Sequence, residues 1–148
     1  MRKLLIVVDM QNDFVTGALR NEEAIAIVPT VVEKIRAAKE AGTEVIFTRD
    51  THFEDYMETE EGRNLPVPHC LKGTEGWEII DALKEFTLDV KIFDKVTFGA
   101  RELGAYLAQE DAKEMIDEVE LIGICTDICV ISNALLVKAF LPNIPIRV

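Results

Sequence analysis

The chain has 148 residues, 49% of them hydrophobic, which is enough for one domain with a substantial buried core. Acidic residues number 27 against 16 basic ones, so the net charge of -11 disfavours nucleic acid and anionic membranes as partners. No apolar run approaches the roughly 18 residues that cross a bilayer, and three cysteines without a dense framework fit a reducing compartment. We therefore expect a single cytoplasmic domain over residues 1–148.

The first third of the chain alternates between a strand pattern and a helix pattern. Residues 4–8 are continuously apolar, which is typical of a strand covered on both faces. From Asn21, a possible cap before two glutamates, apolar residues recur with helical spacing as far as Gly42, which predicts an amphipathic helix. Residues 44–48 predict a second strand, and a long polar loop at 49–73 follows. Long loops in compact domains are often functional.

The same alternation continues to the end of the chain. We predict a helix at about 75–85, a strand at 88–93, a helical stretch after Gly99, a strand at 119–124 and a last helix at about 127–140. The last helix is apolar almost all round and should be buried. Such alternation predicts an α/β fold of three layers, a doubly wound and mainly parallel sheet with helices on both faces. Residues 144–148 resemble the beginning of a further strand.

Reactive side chains collect where the predicted strands end. Asp9, Asp50 and Lys95 follow the first three strands, and Cys129 lies just beyond the fourth, at the start of a helix. Taken singly, each has an ordinary structural explanation, such as a packed core thiol or a solvated lysine. In open α/β sheets, however, ligands bind at this edge. A nucleophile, a base and a cation placed there are the components of nucleophilic acyl transfer.

Three segments carry a resemblance to a known family. DMQNDF at residues 9–14, KVTFGA at 95–100 and GICTDICV at 123–130 resemble, in order and spacing, the signatures of the isochorismatase-like cysteine hydrolases, close to the nicotinamidases. The resemblance implies that Asp9 accepts the thiol proton, Lys95 stabilises the charged pair and Cys129 attacks a carboxamide carbonyl. The implied reaction is hydrolysis of nicotinamide, or of a similar small amide, through a thioester.

The resemblance also implies a cis peptide bond between Ile124 and Cys125. The backbone N–H groups of Cys125 and Cys129 would then form the oxyanion hole. Alanine is common in the family at the position of Cys125. Two interpretations of this cysteine stay open: a small residue that contributes only its backbone, or a thiol that can pair with oxidised Cys129.

The polar loop at residues 49–73 also predicts a metal site. Asp50, His52 and His69 offer one carboxylate and two imidazoles, a set that suits zinc, iron or manganese, although loop histidines that bind nothing fit the pattern equally well. The resemblance implies that these three residues hold a divalent metal, with zinc expected first, which orients the substrate. A fourth ligand is left open among three acidic residues: Glu58, Glu60 and Glu61.

The substrate pocket is less defined by the sequence. Nicotinamidases often place an aromatic residue shortly before the second metal histidine, whereas this chain has Leu-Pro-Val-Pro at residues 65–68. Phe14 and Phe98 are candidates to line the pocket instead, and both are also compatible with core packing. Alternative functions are an isochorismatase-like hydrolase of another small substrate and a non-catalytic binding domain. Vinyl-ether hydrolysis of isochorismate needs no cysteine nucleophile, so Cys129 argues against it.

Family members usually continue through another strand and helix. The resemblance therefore implies that this sequence lacks that segment, which would expose the sheet edge near residues 119–124 and the last helix. A partner subunit could cover them, and homo-oligomerisation is the corresponding expectation.

Overall fold

A five-stranded parallel sheet forms the centre of the computed structural model, which describes residues 1–148. The strands are β1 (Lys3–Val8), β2 (Glu44–Asp50), β3 (Lys91–Lys95), β4 (Glu118–Gly123) and β5 (Ile146–Arg147). Their order in the sheet is β3-β2-β1-β4-β5. Strand β1 is central, and every residue after Lys3 is buried, as the continuous apolar run predicts.

Helices cover both faces of the sheet. They are α1 (Asn12–Val15), α2 (Glu22–Glu40), α3 (Glu60–Asn64), α4 (Arg101–Lys113) and α5 (Ile131–Phe140). Successive side chains of a strand point to opposite faces, so Leu5 and Val7 join the core beneath α2, whereas Leu4 and Ile6 join the core beneath α4 and α5. The predicted three-layer α/β fold is confirmed. None of the helices combines the length and apolar character needed to span a membrane.

Helix α2 begins and ends where its sequence signals indicate. The Asn21 side chain accepts hydrogen bonds from the N–H groups of Glu23 and Ala24 at 2.9 and 3.3 Å, which satisfies two of the free donors at a helix start. The helix ends before Gly42, whose φ of 78° lies in the left-handed region that glycine tolerates.

The predicted helix at residues 75–85 is wrong. The chain forms two 3₁₀ segments instead, Glu75–Trp77 and Asp81–Thr87. Between them Ile79 pairs with Gln11, and the Ile80 N–H donates to the Met10 carbonyl at 3.0 Å. These long-range bonds hold the segment extended against the first loop, so tertiary contacts override its helical propensity. The third strand also starts later than predicted, because its pairing with β2 runs from Lys91 to Lys95.

The end of the chain differs from the prediction in two further respects. A π-helical turn, Thr126–Val130, precedes α5, and α5 is buried on one side only, with Leu135 65% exposed. The helix lies on a single face of the sheet, so its outer residues remain in solvent although they are apolar. Strand β5 pairs with β4 only at Val119 and Glu120, so it covers the start of the edge predicted to be exposed at 119–124 and leaves the remainder without a partner strand.

Leu107 of α4 offers a test of the core beneath this helix. It is fully buried, so we expect Leu107→Ala to lower the free energy of unfolding by about 2–5 kcal/mol through lost burial and a residual cavity. Urea denaturation measures the change. Leu88→Ala is the matched control, because Leu88 is 70% exposed and should change stability by less than about 0.5 kcal/mol. Equal losses in the two variants would contradict this placement of the core.

Candidate functional site

Three charged residues meet at the carboxyl edge of the sheet. Asp9 follows β1, and Asp50 and Lys95 are the last residues of β2 and β3. Because these strands are parallel neighbours, their ends lie side by side. Lys95 Nζ lies 2.8 Å from Asp9 Oδ2 and 3.4 Å from Asp50 Oδ1, and all three side chains are buried. The structure thus brings together three of the four residues predicted to share this edge.

The fourth, Cys129, reaches the cluster from the other side of β1. Its Sγ lies 3.5 Å from Lys95 Nζ. Gly123 ends β4 with a φ of 123°, and a Cβ at this position would lie 2.1 Å from the Val8 carbonyl oxygen. Only glycine lets the chain pass this close to β1. The next peptide bond, between Ile124 and Cys125, is cis, as the resemblance implies.

The turn that carries the thiol leaves one backbone amide free. The Cys125 carbonyl accepts hydrogen bonds from the N–H groups of Ile128 and Val130 at 3.2 and 3.0 Å, whereas the Cys125 N–H makes no hydrogen bond within the chain. Cys125 and Cys129 both line the same cavity. This amide is therefore available to donate to a bound oxygen atom, and its part in an oxyanion hole stays a prediction.

Burial sets the protonation of the thiol and its neighbours. Burial raises the pKa of Cys129, and the nearby Asp9 carboxylate raises it further. Burial also raises the pKa of Asp9, against the opposing charge of Lys95. Burial lowers the pKa of Lys95, but Asp9 and Asp50 outweigh this effect and raise it above its ordinary value. At rest, therefore, the proton stays on sulfur and the lysine stays charged.

Asp9 keeps one oxygen free for proton transfer. Its Oδ1 accepts a hydrogen bond from Thr48 Oγ1 at 2.7 Å. Its Oδ2 has no hydrogen bond beyond the ionic contact with Lys95. The backbone of Asp9 is left-handed, with a φ of 52°, a conformation that non-glycine residues adopt rarely and often at functional sites. A buried carboxylate with an unoccupied lone pair is a suitable acceptor for the thiol proton.

A second cluster lies on the other side of Asp50. One donor atom each from Asp50, His52, Glu61 and His69 lies within 4.8 Å of the others. Asp50 Oδ2 lies 2.9 Å from His52 Nε2 and 3.5 Å from His69 Nε2. His69 Nδ1 is hydrogen-bonded to the Val67 carbonyl at 2.9 Å, so its Nε2 is free to face the cluster. Two carboxylates and two imidazoles that converge in this way fit a divalent cation such as zinc, iron or manganese.

Asp50 connects the two clusters through its two oxygens. Oδ1 faces Lys95, and Oδ2 faces both histidines. Burial acts to raise the pKa of Asp50, but hydrogen bonds from His52 and His69, together with the Lys95 charge, lower it well below its usual range. The carboxylate is therefore ionised whenever the site is folded at neutral pH.

The structure selects one of the three acidic candidates for a fourth ligand. Glu61 Oε2 and Oε1 lie 3.6 and 3.7 Å from the Nε2 atoms of His52 and His69. A Cβ at Gly62 would lie 1.9 Å from the Tyr56 carbonyl oxygen, so this glycine is what lets α3 bring Glu61 to the histidines. The other two candidates are exposed and lie outside the group: Glu58 and Glu60.

Gln11 is a site residue that the sequence did not single out. Its side chain is fully buried. Its Oε1 accepts the Asp50 N–H, and its Nε2 donates to the carbonyls of Asp50 and Trp77, each at 2.8 Å. The amide therefore holds the backbone of the residue that both clusters share. Its position three residues beyond the end of β1, within the DMQNDF segment, was the available signal.

Tyr56 supports the histidine pair from the polar loop. Its ring packs edge-on against His52 and His69, with centroids 4.9 and 5.2 Å apart. Its hydroxyl donates to the Leu65 carbonyl at 2.7 Å. Asp13 supports the same region, because its Oδ2 accepts the N–H of Cys70 at 2.8 Å. The loop that carries His69 is thus tied down on both sides.

A cavity of about 130 Å³ opens beside the thiol. Its wall contains Cys129, the metal-cluster residues Asp50, Glu61 and His69, and both phenylalanines expected there, Phe14 and Phe98. Four aliphatic side chains also line it: Leu19, Leu65, Ile124 and Ile128. Leu65 lies in the segment where nicotinamidases often place an aromatic residue. The cavity is mainly apolar, with polar groups concentrated near the thiol, as small-molecule sites usually are.

Comparison with known proteins agrees with this arrangement. Residues 3–143 match the sequence model of the isochorismatase domain. The chain belongs to the isochorismatase family. Solved structures of similar isochorismatase-fold proteins include a nicotinamidase/pyrazinamidase from Bacillus subtilis, with 33% identity, a TM-score of 0.81, and coverage of 99% of this chain and 82% of that one.

Two other structures show the range of this family. The pyrazinamidase of Pyrococcus horikoshii, solved in complex with zinc, is 34% identical with a TM-score of 0.76, covering 95% of this chain and 80% of its own. The N-carbamoylsarcosine amidase of Thermoplasma acidophilum is 30% identical with a TM-score of 0.80, covering 100% and 82%. Together with the four converging donor residues, the zinc-bound relative supports a divalent-metal site in this isochorismatase-family chain.

Glu61 allows a matched test of that site. We expect Glu61→Gln to weaken Zn²⁺ binding by at least about tenfold, because a carboxylate at the cluster is replaced by a neutral amide. Titration calorimetry of the metal-free protein with Zn²⁺ measures the affinity. Glu60→Gln is the control, since Glu60 is exposed on the same helix and should leave binding unchanged. Identical affinities for the two variants would remove Glu61 from the site.

Proposed function

We propose that this protein is a cysteine amidohydrolase that releases ammonia from nicotinamide or a closely similar small carboxamide. The observation that carries the proposal is the Cys129 thiol within 3.5 Å of Lys95, which is in turn 2.8 Å from Asp9, beside an apolar cavity. Similarity to the nicotinamidase/pyrazinamidase of Bacillus subtilis supports the substrate class.

In the first half of the reaction, Cys129 becomes acylated. Asp9 Oδ2 accepts the thiol proton as the sulfur attacks the amide carbonyl carbon, and the Lys95 ammonium stabilises the negative charge on sulfur. The carbonyl oxygen takes up the electron pair and faces the backbone N–H groups of Cys125 and Cys129. Collapse of the tetrahedral intermediate breaks the C–N bond. Asp9 returns its proton to the leaving nitrogen, and ammonia departs.

In the second half, water hydrolyses the thioester. Asp9, now unprotonated, accepts a proton from water as its oxygen attacks the thioester carbonyl, and the same backbone amides stabilise the oxyanion. The C–S bond breaks, and the proton on Asp9 passes to the sulfur of Cys129. The carboxylic acid product leaves and the resting thiol is restored.

Substrate orientation is the role of the second cluster and of the cavity wall. Asp50, His52, Glu61 and His69 are the residues that would hold a divalent cation, which would supply a coordination position for a lone pair of the substrate, such as a ring nitrogen. Phe14 and Phe98 provide apolar walls on which a small ring can pack. Gln11 holds Asp50, so the two clusters keep a fixed separation.

The first test is ammonia release from nicotinamide by the metal-loaded protein. We expect Cys129→Ala to lower kcat by at least about a thousandfold, because Cys129 is the thiol that lies beside Lys95 and forms the thioester. Cys125→Ala is the control, since this substitution keeps the backbone amide, and it should retain turnover. Activity that survives in Cys129→Ala, or is lost equally in both variants, would contradict the assignment of the nucleophile.

Likeness to the N-carbamoylsarcosine amidase over the whole chain supports a second substrate class, the ureido acids. Both substrates present a terminal C(=O)–NH₂ group, so the same residues could act on either. Assaying N-carbamoylsarcosine beside nicotinamide separates the two. If neither is turned over by a folded, metal-loaded sample, a non-catalytic binding function takes precedence.

Asp9 gives an independent test of the base. We expect Asp9→Asn to reduce kcat by about 10²- to 10⁴-fold, the usual contribution of a general acid–base residue. Asp89→Asn is a close control, because Asp89 has a similar left-handed backbone, with a φ of 58°, but is exposed. Asparagine tolerates this conformation, so the control should keep full activity. Comparable losses in both variants would point to backbone effects and not to proton transfer.

A further inference from the structure

One buried amide joins the turn that carries the nucleophile to the loop that follows β3. Asn133 lies in α5 and is fully buried. Its Oδ1 accepts the Ala100 N–H at 2.8 Å, and its Nδ2 donates to the carbonyls of Phe98 and Cys129 at 3.2 and 2.8 Å. Both Nδ2 protons and the acceptor oxygen are therefore directed at backbone groups of two segments that are far apart in sequence.

This use of asparagine is unusual for its position. Asparagine is unfavourable inside helices, and a buried amide is costly unless it is hydrogen-bonded. Its neighbours on the same side of α5, Ala134 and Val137, are apolar core residues. The three hydrogen bonds offset the cost of burial. They also fix the distance between two segments of the site.

Both segments line the substrate cavity. Cys129 supplies the thiol, and Phe98 supplies part of the wall. The loop that Asn133 holds also includes Thr97, whose carbonyl accepts a hydrogen bond from Lys95 Nζ at 3.2 Å. A change at Asn133 would therefore move the Phe98 wall relative to Cys129 without touching either side chain.

We propose that Asn133 is a positioning residue that sets the separation between the Cys129 thiol and the Phe98 wall, and thereby the fit of the substrate in the cavity. The kinetic effect of this role rests on the proposed amidohydrolase function. The geometric effect on Cys129 does not.

A double-mutant cycle tests the kinetic effect. We expect Asn133→Leu to raise the KM for nicotinamide by about tenfold, or about 1.4 kcal/mol, with a smaller change in kcat. In the Phe98→Ala background the same substitution should leave KM unchanged, because the wall that it displaces is absent. A merely structural role would reduce the active fraction, and so kcat, equally in both backgrounds. An unchanged KM, or the same rise in both backgrounds, would overturn the proposal.

Asn133→Leu removes all three of these hydrogen bonds, so folding needs its own control. If it does not fold, Asn133→Ser takes its place, because a hydroxyl adds no charge near Cys129 and donates only one hydrogen bond, so it cannot hold the carbonyls of both Phe98 and Cys129. Asn143→Leu makes the same change at an exposed position and should behave as the unaltered protein in every assay.

Alkylation of Cys129 by iodoacetamide provides a readout that needs no substrate. Cys129 is only 5% exposed, so displacement of the Phe98 wall should speed its alkylation severalfold, as followed by peptide mass mapping. Cys70, which is fully buried elsewhere, serves as the internal control and should not change. If nicotinamide is inert but Cys129 alone becomes more reactive, the proposed function fails and the role of Asn133 stands. If alkylation is unchanged, or rises equally at Cys70, the role of Asn133 fails.

Discussion

The arrangement of the site depends on one buried ammonium group. Lys95 Nζ lies between two carboxylates, Asp9 at 2.8 Å and Asp50 at 3.4 Å, in a region that is closed to solvent. Uncompensated charges are very unfavourable in such surroundings, whereas a mutually paired cluster is tolerated. Each member therefore requires the others. Asp9 is the carboxylate near the thiol, and Asp50 is the carboxylate that contacts the histidines. The Lys95 ammonium therefore connects the two halves of the site.

Two neutral amide side chains hold the backbone of the site in place. Gln11 holds both peptide groups of Asp50, and Asn133 spans from Cys129 to the loop at Phe98. Charged side chains near Cys129 would alter the protonation of the thiol and of Asp9, whereas an amide supplies donors and acceptors without adding charge. The fold can thus fix distances within the site without changing its electrostatics.

Much of this could be predicted from the sequence, for identifiable reasons. In a parallel sheet, strand ends meet at one edge, so the positions of Asp9, Asp50 and Lys95 followed from the strand pattern alone. Glu61 could not be chosen over its neighbours, because its placement depends on the close approach of Gly62 to Tyr56. Asn133 could not be singled out, because it lies in a helix pattern that is apolar almost all round. The helix predicted at 75–85 does not form, because Ile79 and Ile80 pair with the first loop. This is a long-range contact that local sequence patterns do not indicate.

The order of the strands has a consequence for how the molecule loses its activity. Strand β3 forms an edge of the sheet, and most of it is only partly buried. Edge elements of this kind open locally at a lower free energy than the core. When β3 detaches, Lys95 leaves with it, and Asp9 and Asp50 lose their shared counter-ion while the central strand stays folded. Loss of the Lys95 ion pairs therefore does not require global unfolding, and the same ion pairs that order the candidate site also hold the edge of the sheet.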